Sequence, residues 1–294
     1  MCYFEKLSVT IFFLFFAVFL SQNHRVTYEY KYIADTTDIN NCSTEMMYLD
    51  ILPTFSKFYS ADNFKTDSIA KSHAEKNLHA TGNVIGSPTP PIFKKNTTKY
   101  TVIKDYRKNE LFYIVRMGRT KYKVKDRRNL AWVLHPDKDK FHTYSVQKAT
   151  LNFGGRNWIA WFSTEIPLQD GPYKFAKLPG LILKMEDESK THTYTFTAIS
   201  NITAEESSTI KPTGNFVFDF GDNLEIDDEK YKKLYLDNRN DPAKSLRMTL
   251  HDTDKVNVDG VMTDKLQYIR ERELQMREAI KKDNNPIEID SIQK

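Results

Sequence analysis

Residues 148–197 read KATLNFGGRNWIAWFSTEIPLQDGPYKFAKLPGLILKMEDESKTHTYTFT, and this stretch predicts the fold of the chain. Short runs rich in aromatic and β-branched residues alternate in it with glycine- and proline-containing turns. That alternation is the pattern of consecutive antiparallel strands. The turn signals are Gly154-Gly155, Gly171-Pro172 and Pro179-Gly180.

The run at residues 158–162 is bulky on both faces, which is typical of a strand that is covered on both sides. Pro167 ends this strand because proline has no amide proton for a ladder hydrogen bond. Pro179 sets φ for the second position of a turn, and Gly180 suits the positive φ of a type II turn. The two turns are expected to hold the loop between them against the sheet.

Outside this stretch, alternating apolar and polar residues predict further strands of the same sheet. The predicted fold class is therefore mainly β, a curved antiparallel sheet that is half-barrel or barrel-like. The predicted strands are residues 26–32, 46–52, 97–106, 111–117, 120–126, 131–134, 142–153, 158–162, 181–186 and 192–202.

Three segments have helical patterns. Apolar residues at helical spacing predict a short helix at residues 67–79, and acidic residues at the start of 227–236 predict a second one. Residues 263–282 carry alternating charges around an apolar stripe, which predicts an amphipathic helix that packs on the body or on a partner. A coiled coil is the alternative, although the stripe covers barely two heptads. Residues 82–91 are expected to form a surface loop.

The first 22 residues have the pattern of a secretory signal peptide, with a predominantly apolar run of 14 residues at positions 7–20. A retained N-terminal anchor is the alternative. The predicted organisation is a signal peptide at 1–22, an antiparallel β domain at 23–262, and a C-terminal helix and tail at 263–294. The predicted location is the periplasm, the outer membrane or the medium, with no membrane span in the mature chain. Of the two cysteines only Cys42 would remain, so an internal disulfide is excluded. A net charge of +4 gives no indication of nucleic-acid binding.

The sequence also resembles the GLPGLI family, a group of exported bacterial proteins without an established activity. The resemblance rests on LPGLI at residues 178–182, Met-x-Leu-Asp-Ile at 47–51 and Asn-Pro-Ile-Glu at 285–288. Lys177 stands where the family name has its first glycine. The motif residues, expected to act in folding, are Gly155, Glu165, Pro167, Gly171, Pro172, Leu178, Pro179, Gly180, Leu181 and Ile182.

Four residues in the central stretch are candidates for a ligand- or partner-binding surface: Arg156, Trp158, Trp161 and Tyr173. The alternative is that this aromatic segment is needed only for folding. Residues His73 and His79 are six positions apart and would lie on different faces of a helix, so they predict no metal site. The sequence contains no nucleophile elbow, phosphate-binding loop or dinucleotide-binding glycine pattern, and it predicts no catalytic residues and no cofactor.

The preferred functional hypothesis is an exported, non-catalytic binding or accessory protein. In this hypothesis a hydrophobic concave face of the sheet holds an apolar ligand or a segment of an envelope protein. One alternative is a structural surface protein with a filled interior. Another is a hydrolase with a scattered acidic active site, which would require a cleft with converging carboxylates.

Overall fold

A computed structural model describes residues 23–81, 98–118, 120–212, 223–250, 255–258 and 261–292. The signal peptide predicted at 1–22 and the surface loop predicted at 82–91 lie outside these residues. In the described part of the chain, no helix has the length and apolar character needed to cross a membrane.

In the described part of the chain, twelve strands form one large sheet, and two more form a separate hairpin. The order in the large sheet is β12-β6-β5-β4-β3-β2-β1-β11-β10-β9-β8-β7. The mainly β prediction is confirmed. One neighbour pair, β12 with β6, is parallel, and the others are antiparallel. The strands are β1 His24–Ile33, β2 Cys42–Ile51, β3 Phe55–Ser60, β4 Tyr100–Asp105, β5 Glu110–Met117, β6 Thr120–Asp126, β7 Val133–Phe141, β8 Tyr144–Phe153, β9 Arg156–Ser163, β10 Leu181–Asp187, β11 His192–Asn201, β12 Leu224–Asp227, β13 Lys255–Val258 and β14 Val261–Asp264.

The described helices lie outside the sheet. They are α1 Ala61–Thr81, α2 Ala204–Thr209, α3 Asp228–Asn240, α4 Lys244–Thr249 and α5 Lys265–Lys281. The helix predicted at 67–79 is therefore longer than expected, and it starts directly after β3. Asp227 caps α3, since its side chain accepts a hydrogen bond from the backbone N–H of Lys230.

The sheet is strongly curved. Tyr100 on β4 and Tyr194 on β11 are four strand spacings apart, which is roughly 19 Å on a flat sheet. Their hydroxyl oxygens nevertheless lie only 3.2 Å from each other. The two edge strands, β12 and β7, do not pair with each other, so the sheet of the described residues is curved but not closed.

Residues 164–180, here called the interior loop, fill the concave side of the sheet. Tyr173 packs on Tyr100 with ring centroids 5.3 Å apart, and Phe175 packs on Trp158 at 4.8 Å. The loop thus contacts strands on both halves of the sheet, and Tyr173, Phe175 and Leu178 are buried. The hydrophobic concave face, which was predicted to hold a ligand or partner segment, is covered in this structure by the chain's own aromatic loop.

Candidate functional site

A buried ion pair between Lys104 and Asp170 holds the interior loop against β4. The Lys104 ammonium donates to the Asp170 carboxylate and to the carbonyl oxygens of Gly171 at 2.7 Å and Phe175 at 3.0 Å. Asp170 also accepts from the hydroxyl of Tyr106 at 2.5 Å. Burial lowers the pKa of Lys104, and the charge of Asp170 opposes this shift. All three ammonium protons are used, so this lysine is a structural group and offers no free nucleophile.

A second buried cluster joins the interior loop to the C-terminal part of the chain. Asp126 accepts from Lys174 at 2.8 Å and from the Nε of Arg128 at 2.9 Å. Glu288 lies 2.6 Å from the Lys174 ammonium and 2.8 Å from Arg128, and it accepts from the Tyr173 hydroxyl at 2.6 Å. Burial alone would raise the pKa of both carboxyl groups, but Arg128 and Lys174 bring both values below the ordinary range. Both carboxyl groups are therefore ionised, and the charges of Arg128 and Lys174 compensate theirs.

Between these two clusters lies an open cleft of about 710 Å³, a size typical of small-molecule sites. It is bounded by the interior loop, by the β2–β3 and β4–β5 turns, and by the segment that follows β6. Its apolar wall includes the half-buried Leu52, Leu111 and Leu130. Ile51, Phe153 and Leu168 also line it, and Tyr106, which is 41% exposed, lies beside them.

Most of the charges in the cleft are compensated. Lys104 pairs with Asp170, and Glu110 pairs with Lys125. In the Asp126–Glu288 cluster, Arg128 and Lys174 face these two acids, and Asp228 lies 3.8 Å from Arg128. Asp105 accepts from backbone N–H groups and lies near Arg107. Arg127 and Lys177 also line the cleft and are exposed, and neither forms an ion pair with another described residue. The mouth of the cleft therefore has a surplus of positive charge.

Arg156, a predicted binding residue, is only 8% exposed and fastens residues 284–288, here called the C-terminal segment. Its guanidinium donates to Asp187 at 3.0 Å and to the carbonyl oxygens of Pro286 at 2.8 Å and Ile287 at 3.0 Å. It also donates to the side chain of Asn285. All of these acceptors belong to the same chain, so the guanidinium has a structural role in this structure.

His192 belongs to the same network. Its Nε2 lies 3.0 Å from the carbonyl oxygen of Asn285, and its Nδ1 lies 2.7 Å from the hydroxyl of Tyr30. A carbonyl oxygen can only accept, so the ring carries its proton on Nε2. Burial lowers the pKa of His192 to about 4, and the charge of Arg156 adds to that shift. The imidazole is therefore neutral in the folded protein.

The other predicted binding residues do not meet at a surface. Trp158 and Tyr173 are each 1% exposed and lie in the main core, and both contact Phe175. Trp161 points to the other face of β9 and is half-buried. The sequence-based prediction that these residues and Arg156 bind a ligand or partner is untested, but the structure does not bring the four together.

The motif residues have mixed roles, and the predicted turn at Gly180 is corrected. Gly180 does not have positive φ, whereas Lys177 has φ +73°. Gly180 is needed for space, because a Cβ there would lie 2.0 Å from the carbonyl oxygen of Ser163. At Gly171 a Cβ would lie 2.6 Å from the Ile182 side chain, and Gly155 has φ +77° next to Ile289 and Asp290. Glu165 accepts from the backbone N–H of Ser145 at 2.9 Å. Leu178, Leu181, Ile182 and Pro172 are buried, Pro179 is exposed, and Pro167 lines the cleft.

Sequence reasoning missed the charged residues that shape the site: Lys104, Asp126, Arg128 and Lys174. A lysine among apolar residues in β4, where Lys104 is buried beside Val102 and Ile103, is the one signal that could have pointed to it. In the described part of the chain, no group of three or more His, Cys, Asp or Glu side chains is placed to hold a metal ion. Cys42 is exposed and free.

A family model described as a protein of unknown function (Porph_ging) matches residues 85–184, about a third of the chain. No curated protein matches the chain. Two solved structures of PNGF-II, in the C2 and P21 space groups, match it with 14% sequence identity and TM-scores of 0.46 and 0.48. Each match covers 72% of this chain and 32% or 33% of the other, so the chain spans about a third of the length of those structures.

Proposed function

We propose that this protein is a non-catalytic binding protein, and that the cleft beside the interior loop holds a ligand with an apolar body. The observation that carries this proposal is the composition of the cleft wall. Leu52, Leu111 and Leu130 present partly uncovered apolar surface in a space of ligand size. Such surface gains free energy when a ligand removes it from water.

The pairing of the cleft carboxylates favours binding over hydrolysis. General acid–base catalysis needs a group that is free to give or take a proton. Asp170 already accepts from Lys104, Tyr106 and the Gly171 backbone, and Asp126 accepts from Lys174 and Arg128. These carboxylates therefore serve to position the loop and the cleft wall.

The location proposed for this activity is outside the cytoplasm, on the basis of the apolar run at residues 7–20. The occupant of the cleft is proposed to be a small molecule, and an envelope protein segment is the alternative. If the binding experiment shows no ligand binding, the alternative of a structural surface protein is favoured.

Titration with an uncharged hydrophobic fluorophore, N-phenyl-1-naphthylamine, tests the proposal. We expect saturable fluorescence enhancement by the folded protein. Leu130→Asn should weaken the binding roughly tenfold, because it replaces apolar wall by an amide. Leu134→Asn is the matched control, since Leu134 is 52% exposed on β7 and does not line the cleft. Equal effects of the two substitutions, or no saturable binding, would contradict a binding cleft.

A further inference from the structure

We propose that the cleft selects an amphiphile that carries a carboxylate, with Arg127 and Lys177 binding the anionic group at the mouth. This inference rests on the proposed function and names the class of ligand. Its basis is the surplus of positive charge in the cleft. Once the ion pairs of the cleft are taken into account, Arg127 and Lys177 are the lining cations that have no acidic partner among the described residues.

The backbone at Lys177 supports a role for its side chain. Among the described residues, five that are not glycine have positive φ, a conformation that costs an L-residue about 1 kcal/mol or more. Asn109, His142 and Lys190 lie in the connections between paired strands, where tight turns often require it. Tyr173 and Lys177 lie instead in the interior loop. Tyr173 is buried and its hydroxyl donates to Glu288, whereas Lys177 is exposed and its N–H donates to the carbonyl oxygen of Gln169 at 3.1 Å. A glycine would fit this backbone without strain, so what the lysine adds at this position is an ammonium group at the cleft mouth.

The remaining wall fits the other half of such a ligand. The apolar side chains lie in the same cleft as the two cations, together with the exposed Tyr106. A molecule with an aliphatic body and a carboxylate would place each half against matching surface. A neutral molecule of the same shape would use the wall and leave both cations without a partner.

Displacement of the bound fluorophore by decanoate and by 1-decanol tests this selectivity. The two molecules share an aliphatic chain and differ in the head group. We expect decanoate to displace the fluorophore at about tenfold lower concentration than decanol, a ratio that should shrink at high salt because the cations are exposed.

Lys177→Gly and Lys190→Gly form a matched pair of variants. Both remove an exposed lysine at positive φ, and both should raise the thermal midpoint slightly because glycine accepts this backbone. Only Lys177→Gly should reduce the preference for decanoate, since Lys190 does not line the cleft. Lys177→Arg should retain the preference, and Lys177→Gly combined with Arg127→Gln should abolish it.

The outcomes separate the two proposals. If decanol and decanoate displace the fluorophore equally well, the cleft binds apolar bodies and the carboxylate preference is wrong. If the preference survives in the double variant, other groups bind the anion and the inference is overturned. If neither molecule displaces the fluorophore, both the binding cleft and its selectivity are wrong.

Discussion

At the scale of single residues, Gly180 has the least room for a side chain among the described glycines. Any side chain there would overlap the backbone of Ser163, so Gly180→Ala must move β9 or the interior loop. We expect it to lower the free energy of unfolding by about 3 kcal/mol, at the upper end of overpacking effects. Thermal unfolding of Gly118→Ala is the control, because Gly118 has φ +59° but its nearest neighbour would be 3.7 Å away. Similar losses in both variants would show that close contact at Gly180 is not the cause.

His192 makes the stability depend on pH. The folded protein keeps the imidazole neutral with a pKa of about 4, whereas an unfolded chain titrates near 6.5. Between pH 6.5 and pH 4 the unfolded state therefore binds more protons than the folded state. The contribution of His192 to the free energy of unfolding is complete above pH 6.5 and is lost as the pH falls towards 4. We expect the free energy of unfolding to fall by about 2 kcal/mol between pH 7 and pH 5.

Denaturant unfolding at a series of pH values measures this effect in the protein and in His192→Gln. The variant removes the titrating group while it keeps a polar side chain at the site. Its stability should change less over the same range. An identical pH dependence in both proteins would assign the effect to other groups.

Gly180 also illustrates what residue-level sequence reasoning can reach. That the glycine matters was predictable from its place after Pro179 in a turn. The reason was not, because close approach of residues 163–164 is a tertiary contact. The sequence predicts positive φ at Gly180, but the structure has it at Lys177. This could not be predicted, because nothing in the local pattern marks a lysine for that conformation.

At the scale of elements, the C-terminal segment is held by buried charge. Glu288→Gln would remove the carboxylate that lies 2.6 Å from Lys174 and 2.8 Å from Arg128, so that Lys174 keeps Asp126 and Arg128 keeps Asp126 and the more distant Asp228. Breaking a buried pair from one side is costly, and we expect a loss of about 3 kcal/mol in the free energy of unfolding. Chemical denaturation of Glu278→Gln gives the reference, because that exposed residue forms a surface ion pair with the exposed Lys281. An unshifted midpoint in both variants would rule out a stabilising role for the segment.

Strands with one buried face were predictable and those without an alternating pattern were not. The alternation in residues 26–32 matches β1, whose burial alternates along most of its length. β3 was missed because all six of its residues are buried, so the period-2 pattern is absent. The charged residues of the site were missed for a related reason. Asp126 and Lys174 are 48 residues apart in the sequence and meet only in the folded protein.

At the scale of the whole molecule, the interior loop makes both halves of the sheet share one core. Buried residues from β1, β2, β3, β4, β8, β9, β10 and β11 belong to a single cluster with Tyr173 and Phe175. We expect one cooperative unfolding transition, in which the far-ultraviolet signal of the sheet and the near-ultraviolet signal of the buried aromatic residues disappear together. Loss of the near-ultraviolet signal at lower denaturant would instead show that the interior loop unfolds separately.

The mainly β class was visible in the sequence, whereas the filled concave side was not. Strand patterns report which face of a strand is apolar but not what covers it. Here the cover is the aromatic loop within the stretch that predicted the fold, so the segment expected to build a binding surface packs inside the sheet.

The position of Arg156 has a consequence for how the protein is made. Its guanidinium is completed by carbonyl oxygens about 130 residues further along the chain, at Pro286 and Ile287. While the ribosome is still translating the intervening sequence, this cation and the neighbouring Gly154-Gly155 surface have no native cover. The packing around Arg156 therefore cannot be completed before residues 286–288 are available, so the two ends of this contact can join only late in folding.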